Sequence, residues 1–194
     1  TVFLPVILSL IITGYLWELF LHPLFGPLTK LVMETFRLEE FAPLGDSNLA
    51  LATAILISIW RNVGFPTLVF LAGMNAIPDD LYKAAELDGA SQWQTFRNVT
   101  LPLLGPSFTI VVVLSFIGAM EWFDLPYVIG GPTGNPGNSL DTLALMFYRL
   151  SFGDGSAAVT DVGLGAAVSV VLFIIVLLGS RAGSNYLRGK EVQL

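Results

Sequence analysis

Cysteine is absent from this chain and histidine occurs once, as His22. Without thiols there is neither a disulfide framework nor a thiolate metal site, and one His ahead of Pro23 cannot build a His-rich metal centre. Charge is scarce as well. Asp, Glu, Lys and Arg make up 12% of the residues, where soluble domains carry about 25%. A water-facing surface needs ionic groups, so 54% hydrophobic residues and a mean hydropathy of +0.74 point to a membrane chain. The net charge of −6 excludes nucleic acid, whose phosphates call for clustered Lys and Arg. No G-x-x-x-x-G-K-[ST] run is present, so ATP has no phosphate cradle of that kind. The chain opens at Thr1 inside an apolar run, with no basic n-region and no small-residue cleavage site. No signal peptide is expected, and sequence upstream of Thr1 is expected to be missing.

Long apolar runs are what the chain does have. A bilayer core takes about 17–25 apolar helical residues. Residues 2–20, 49–76 (interrupted at Arg61 and Asn62), 103–120 and 162–180 qualify. The expected fold is all-α, a polytopic transmembrane helical bundle of about four visible spans forming a single domain over 1–194. Lys83, Arg97, Arg181, Arg188 and Lys190 then share one side against Lys30, Arg37 and Arg149 on the other. That weak excess puts residues 77–102 in the cytoplasm. Outside, "GPLTKLVMETF" (26–36) sets Leu28, Leu31, Val32 and Phe36 on one helical face, for a short helix on the membrane interface or on the protein's own outer surface. "GGPTGNPGNS" (130–139) reads as an irregular loop. Gly163 and Ala167, four apart, suit close helix packing in lipid.

One polar stretch breaks the pattern: "DDLYKAAELDGASQWQTFRNVTLPLL" (79–104). Pro78 suits the first position of a helix, and Asp79 and Asp80 complement the helix dipole in its first turn. Residues 81–87 are mostly good helix formers. Gly89 can end the helix in the left-handed conformation, Ser91 can cap a second helix through Trp93 and Phe96, and Pro102 opens the next span. The result is a helix–turn–helix elbow, too short and polar to cross lipid. Leu81, Ala84, Ala85 and Asp88 share a face on which small alanines admit another surface. A docking element and a loop folded under its own bundle both remain open at this point.

"IPDDLYKAAELDGASQWQTFRNVTLPLLGP" resembles the EAA loop of ABC-importer permeases: Ala84, Ala85, Gly89 and Leu101-Pro102 match that pattern. Lys83 stands where the family has Glu, and Glu86, three residues on, is a partial substitute on the same face. "FLPVILSLIITGYLWELF", "WRNVGFPTLVFLAGMNAIP", "SFIGAMEWFDLPYVIGGP" and "GLGAAVS" are similar to the maltose-transporter-type, carbohydrate branch. The resemblance implies a permease subunit that passes carbohydrate across a prokaryotic inner membrane. It implies as partners two ABC ATPase subunits, which carry ATP and Mg, a second permease subunit, either a homologous heterodimer partner or an identical copy, and an extracytoplasmic solute-binding protein. This chain would bind no cofactor directly and would not itself be an enzyme. About two spans upstream would be missing relative to the family. The coupling loop, about 78–102, would present Lys83, Ala84, Ala85, Glu86, Leu87, Asp88 and Gly89 to an ATPase. ATP-driven closure must then supply about 5 kcal/mol of differential binding to turn the pore from mostly one state to mostly the other.

Arg61 falls near the middle of the second run, where a charge costs about 2.5–3.5 kcal/mol on insertion scales. It must face protein or a wet cavity, as a solute-pathway residue or in an ion pair with, for example, Glu121 or Asp124. Gly64 and Pro66 suggest a kink there. The family resemblance carries the solute pathway to Val63, Gly64 and Thr67, and to Gly118, Ala119 and Trp122. Trp122 could stack on a sugar or anchor at the headgroups. The triplet Asn98-Val99-Thr100 fits a glycosylation pattern but lies on the cytoplasmic side. Three other readings stay open: a permease for another solute, such as glycerol phosphate or a polyol; an integral-membrane enzyme using Glu121, Asp124 and Arg61; and a passive scaffold whose elbow touches only its own bundle.

Overall fold

The computed structural model describes residues 3–155 and 160–189, and among these every regular element is helical. In chain order they are α1 (Leu4–Ile7), α2 (Leu10–Phe20), α3 (Pro27–Phe36), α4 (Ala50–Asn62), α5 (Gly64–Asn75), α6 (Asp79–Leu87), α7 (Gln92–Thr95), a π-helical turn (Phe96–Thr100), α8 (Leu101–Leu103), α9 (Gly105–Met120), α10 (Asp124–Gly130), α11 (Leu143–Phe152) and α12 (Val162–Arg188). Two compact units contain them: Thr1–Val63 with Met120–Ile174, and Gly64–Ala119 with Ile175–Leu194.

Among the described residues two helices are long and apolar enough to span a bilayer, Val162–Arg188 and Gly105–Gly130, the latter counted through its break at 121–123; α4 and α5 add a third if taken as one broken span. The run 2–20 is no single helix. It is interrupted at Leu8, whose backbone is extended (ψ 138°), and Ser9 restarts the helix by accepting a hydrogen bond from the Ile12 amide. Only 11% of the apolar window in Gly105–Gly130 and 6% of that in Val162–Arg188 is buried. Almost the whole circumference of both is therefore an exposed apolar surface.

The first unit is organised on Leu21, Ala50, Ala54, Ile57, Leu125 and Leu140, with Trp17, Leu28, Leu44, Trp122 and Ile129 packed around them. Gly14 lets α2 lie directly on α10: a β-carbon there would come within 2.7 Å of Val128 Cγ1. The amphipathic helix expected at 26–36 forms as α3, with Leu28 against the core and Leu31 and Phe36 exposed. Close packing at the start of α12 is made by Gly165 against Ser151, whereas Gly163 and Ala167 are exposed.

Residues 121–161, where the sequence suggested an irregular loop over 130–139, also hold two helices. The Thr142 hydroxyl caps α11 by accepting from the Leu145 amide and donates to the Trp122 carbonyl at 2.8 Å. Rings of Phe123, Tyr127, Tyr148 and Phe152 cluster between α10 and α11. Arg149 meets Asp141 through two bonds, 3.1 and 2.7 Å, and donates to the Pro132 carbonyl at 3.1 Å, which pins the intervening loop.

In the second unit α5 rests on α9: Phe70 and Phe108 pack at 4.7 Å between ring centroids, and Gly73 lies against Ser107 and Leu104. The ring of Phe116 covers Gly179 of α12.

Candidate functional site

The elbow is built from local punctuation. Pro78 stands one position earlier than expected, as the N-cap of α6, because its ψ of 134° is extended rather than helical; Asp79 and Asp80 do occupy the first turn. At the other end Gly89 adopts φ 75°. Its amide donates to the Glu86 carbonyl and the Ala90 amide to the Ala85 carbonyl, both at 3.0 Å. That pair of bonds is a Schellman closure, which satisfies carbonyls the helix end would leave bare. Two residues later Ser91 opens α7 with a capping box: its Oγ accepts from the Gln94 amide, and Gln94 Oε1 accepts from the Ser91 amide at 2.7 Å. The turn from Phe96 to Thr100 widens to π geometry ahead of Pro102, which has no N–H to donate and whose ring crowds the carbonyl four residues back.

None of residues 79–97 is buried. Leu87 is 89% exposed and Trp93 68%. Lys83, Ala84, Glu86, Asp88 and Gly89 are exposed and Ala85 is half-buried. Lys83 reaches back to Asp80 at 3.0 Å, an exposed pair that adds little stability. Across the elbow the Tyr82 hydroxyl meets Thr100 Oγ1 at 3.4 Å, and a cavity of about 320 Å³ opens between Tyr82, Glu86, Ala90, Gln92, Thr95, Phe96 and Thr100. Sequence reasoning missed Tyr82 and Thr100, which link α6 to the π-helical turn. The available signal was Tyr82 at three residues before Ala85, on the helix face turned to the next element.

The expected solute-pathway residues divide between the units. In the first, the Arg61 guanidinium donates from Nη2 to the Leu8 carbonyl and from Nη1 to Asn62 Oδ1, each at 3.1 Å. The expected ion pair with Glu121 or Asp124 is not formed, and among the described residues no carboxylate lies within ion-pair reach of Arg61. Its partner is a backbone carbonyl freed by the helix break at Leu8. Arg61 thus pairs directly with neither of the carboxylates named in the enzyme reading. Val63 is exposed at the end of α4, while Trp122 is half-buried against the core with its Nε1 buried and unpartnered. In the second unit Gly64 is buried, Thr67 is exposed, and Gly118 and Ala119 are exposed on the last turn of α9. A β-carbon on Gly118 would meet nothing within 4 Å.

Residues 1–184 match the family described as "Binding-protein-dependent transport system inner membrane component". The chain belongs to that family. It is 34% identical over 177 residues to the trehalose/maltose transport system permease protein MalF of Thermococcus litoralis, covering 91% of this chain and 57% of the relative. It is 32% identical to the sulfoquinovosyl glycerol transport system permease protein SmoG of Agrobacterium fabrum, over 97% of this chain and 58% of the relative. With the arabinooligosaccharides transport system permease protein AraP of Bacillus subtilis the identity is 31%, over 92% of this chain and 55% of the relative. The chain thus spans less than two thirds of the length of these relatives. Among solved structures, a bacterial ABC transporter involved in import of the acidic polysaccharide alginate shares the fold, with a TM-score of 0.76 at 22% identity, over 96% of this chain and 63% of that one. The alginate transporter in complex with an alginate pentasaccharide-bound periplasmic protein gives a TM-score of 0.75 at 24% identity, over 96% of this chain and 61% of that one.

The elbow is the polar, helical stretch that interrupts the apolar helices of this chain. Its backbone was foreseeable because Gly89, Ser91 and Pro102 each act locally. The tie from Thr142 to Trp122 was not. Its signal was a cap residue followed by helix formers up to Gly153, whose φ of 87° ends α11.

Proposed function

We propose that this chain is a pore-forming permease subunit of a binding-protein-dependent ABC importer that carries carbohydrate across the inner membrane, powered by partner ATPases. The observation that carries this reading is the elbow. Between apolar helices the chain keeps a rigidly capped, polar helix–turn–helix with none of residues 79–97 buried. A loop folded under its own bundle would bury one face. Two relatives whose names specify trehalose/maltose and arabinooligosaccharides support a carbohydrate as the solute.

In this reading the ATPase grips Lys83, Ala84, Ala85, Glu86, Leu87, Asp88 and Gly89, with Leu87 as the apolar anchor. ATP and Mg belong to the ATPases. A second permease subunit completes the pore, and a solute-binding protein delivers from outside. Small side chains leave room for the solute at Gly118 and Ala119, with Gly64 and Thr67 in the same unit; Val63 and Trp122, in the other unit, are the remaining pathway residues of this reading.

Residues 1–194 contain no cysteine, so Leu87→Cys places a single thiol in this part of the chain. In membranes of cells co-expressing the ATPase, that thiol is expected to cross-link to the ATPase and to resist impermeant reagents added from outside. Labelling from the outside, or no cross-link at any position from Lys83 to Gly89, would overturn the assignment.

A further inference from the structure

In an unbroken helix the Ile12 amide would donate to the Leu8 carbonyl, four residues back. Here it donates to Ser9 Oγ at 3.2 Å, and the extended backbone of Leu8 turns its carbonyl out of the helix. Such a carbonyl in an apolar run has no water to bond, and leaving it bare is costly. Arg61 meets that need from 53 positions away with its Nη2. The guanidinium is braced at the same time: Nη1 donates to Asn62 Oδ1, and Asn62 Nδ2 donates at 2.9 Å to the Ser58 carbonyl of its own helix. Ser9 thus removes a helical hydrogen bond and Arg61 replaces it. With no carboxylate in reach among the described residues, Arg61's charge faces the Leu8 carbonyl and Asn62 Oδ1, while its Nε is buried without a partner.

We infer that Arg61 is a positioning residue: it holds the first apolar helix interrupted at Leu8–Ser9 and does not touch the solute. The transport arm of the test rests on the importer reading given above; the stability arm does not. Lysine reaches one carbonyl with a point charge but lacks the planar fork that braces on Asn62, so it should replace Arg61 in part. In the full-length chain purified in detergent, R61M is expected to lower the thermal midpoint measurably. In the S9A background, R61M should do so far less, because the Ile12 amide is then free to return to the Leu8 carbonyl. R61Q, which keeps a neutral donor, serves as the second variant where R61M fails to insert. R61K should retain at least about half of the maximal uptake rate with the solute KM unchanged.

Two results overturn the inference. One is an equal loss of thermal midpoint on Arg61 replacement in the wild-type and S9A backgrounds, which would show that Arg61 does not act through the break. The other is a KM raised about tenfold in R61K, which would put Arg61 on the solute. The thermal measurements are made without ATP or solute, so they read this contact even if no carbohydrate is transported.

Discussion

Gly14 and Val128 touch where α2 crosses α10, with space for hydrogen but not for carbon: a β-carbon on Gly14 would sit 2.7 Å from Val128 Cγ1 and 3.0 Å from its Cβ. Gly14→Val should therefore overpack the first unit and cost about 1–3 kcal/mol. Gly118→Val, into open space on α9, should change stability by only about 0.5 kcal/mol. Thermal unfolding of the two variants side by side in one detergent checks the contrast; equal losses would remove the packing argument.

Gly89 holds φ 75° with nothing within 4 Å of a β-carbon, so any penalty for replacing it is conformational rather than steric. A β-branched residue in this left-handed geometry costs about 1–2 kcal/mol. Gly89→Val is expected to disrupt the turn of the elbow and abolish coupled uptake while the chain still inserts. Gly89→Asn, whose side chain tolerates that geometry, should retain uptake. Wild-type uptake in the valine variant would count against the elbow as the coupling element.

Ser91 and Gln94 exchange side-chain and backbone bonds at the start of α7. Ser91→Ala removes one half of that exchange and should cost the second elbow helix about 0.5–2 kcal/mol. Hydrogen exchange at residues 92–95 is the direct measure, with protection expected to fall there and to hold within α9.

Asp141 and Arg149 fasten the loop 131–142 by two bonds between side chains only 21% and 25% exposed. Asp141→Asn should cost about 1.5–3 kcal/mol, the usual range for hydrogen bonds to a charged partner. The bond from Asp141 pushes the Arg149 pKa above its ordinary, already alkaline value. A pKa raised in the fold lends stability that is complete below the unfolded value and is lost only on rising through the folded one. Arg149's contribution should thus stay flat between about pH 7 and about pH 10, and a melting series across that window would reveal any decline.

Local punctuation explains what could be read from sequence. Asp79, Gly89, Ser91 and Pro102 each act on their nearest neighbours, so the elbow was visible residue by residue apart from the one-place shift of Pro78. The all-helical membrane character followed from scarce charge and long apolar runs. The break at Leu8–Ser9 was hidden because a single Ser within an apolar run does not by itself mark a break, and the residue that bonds the freed carbonyl, Arg61, lies 53 positions away. For the same reason an acid was expected opposite Arg61 where a carbonyl stands. Helix α11 escaped notice between the Gly-rich loop and Gly153, although Thr142 marks its start.

The two caps of the elbow have a kinetic consequence. Because Gly89 and Ser91 shape the turn with bonds internal to the chain, no disordered segment would have to fold for the partner proposed above to bind. On the proposed reading, capture would forfeit little backbone entropy, and the pace of assembly would be set by encounter and orientation rather than by a search through loop conformations.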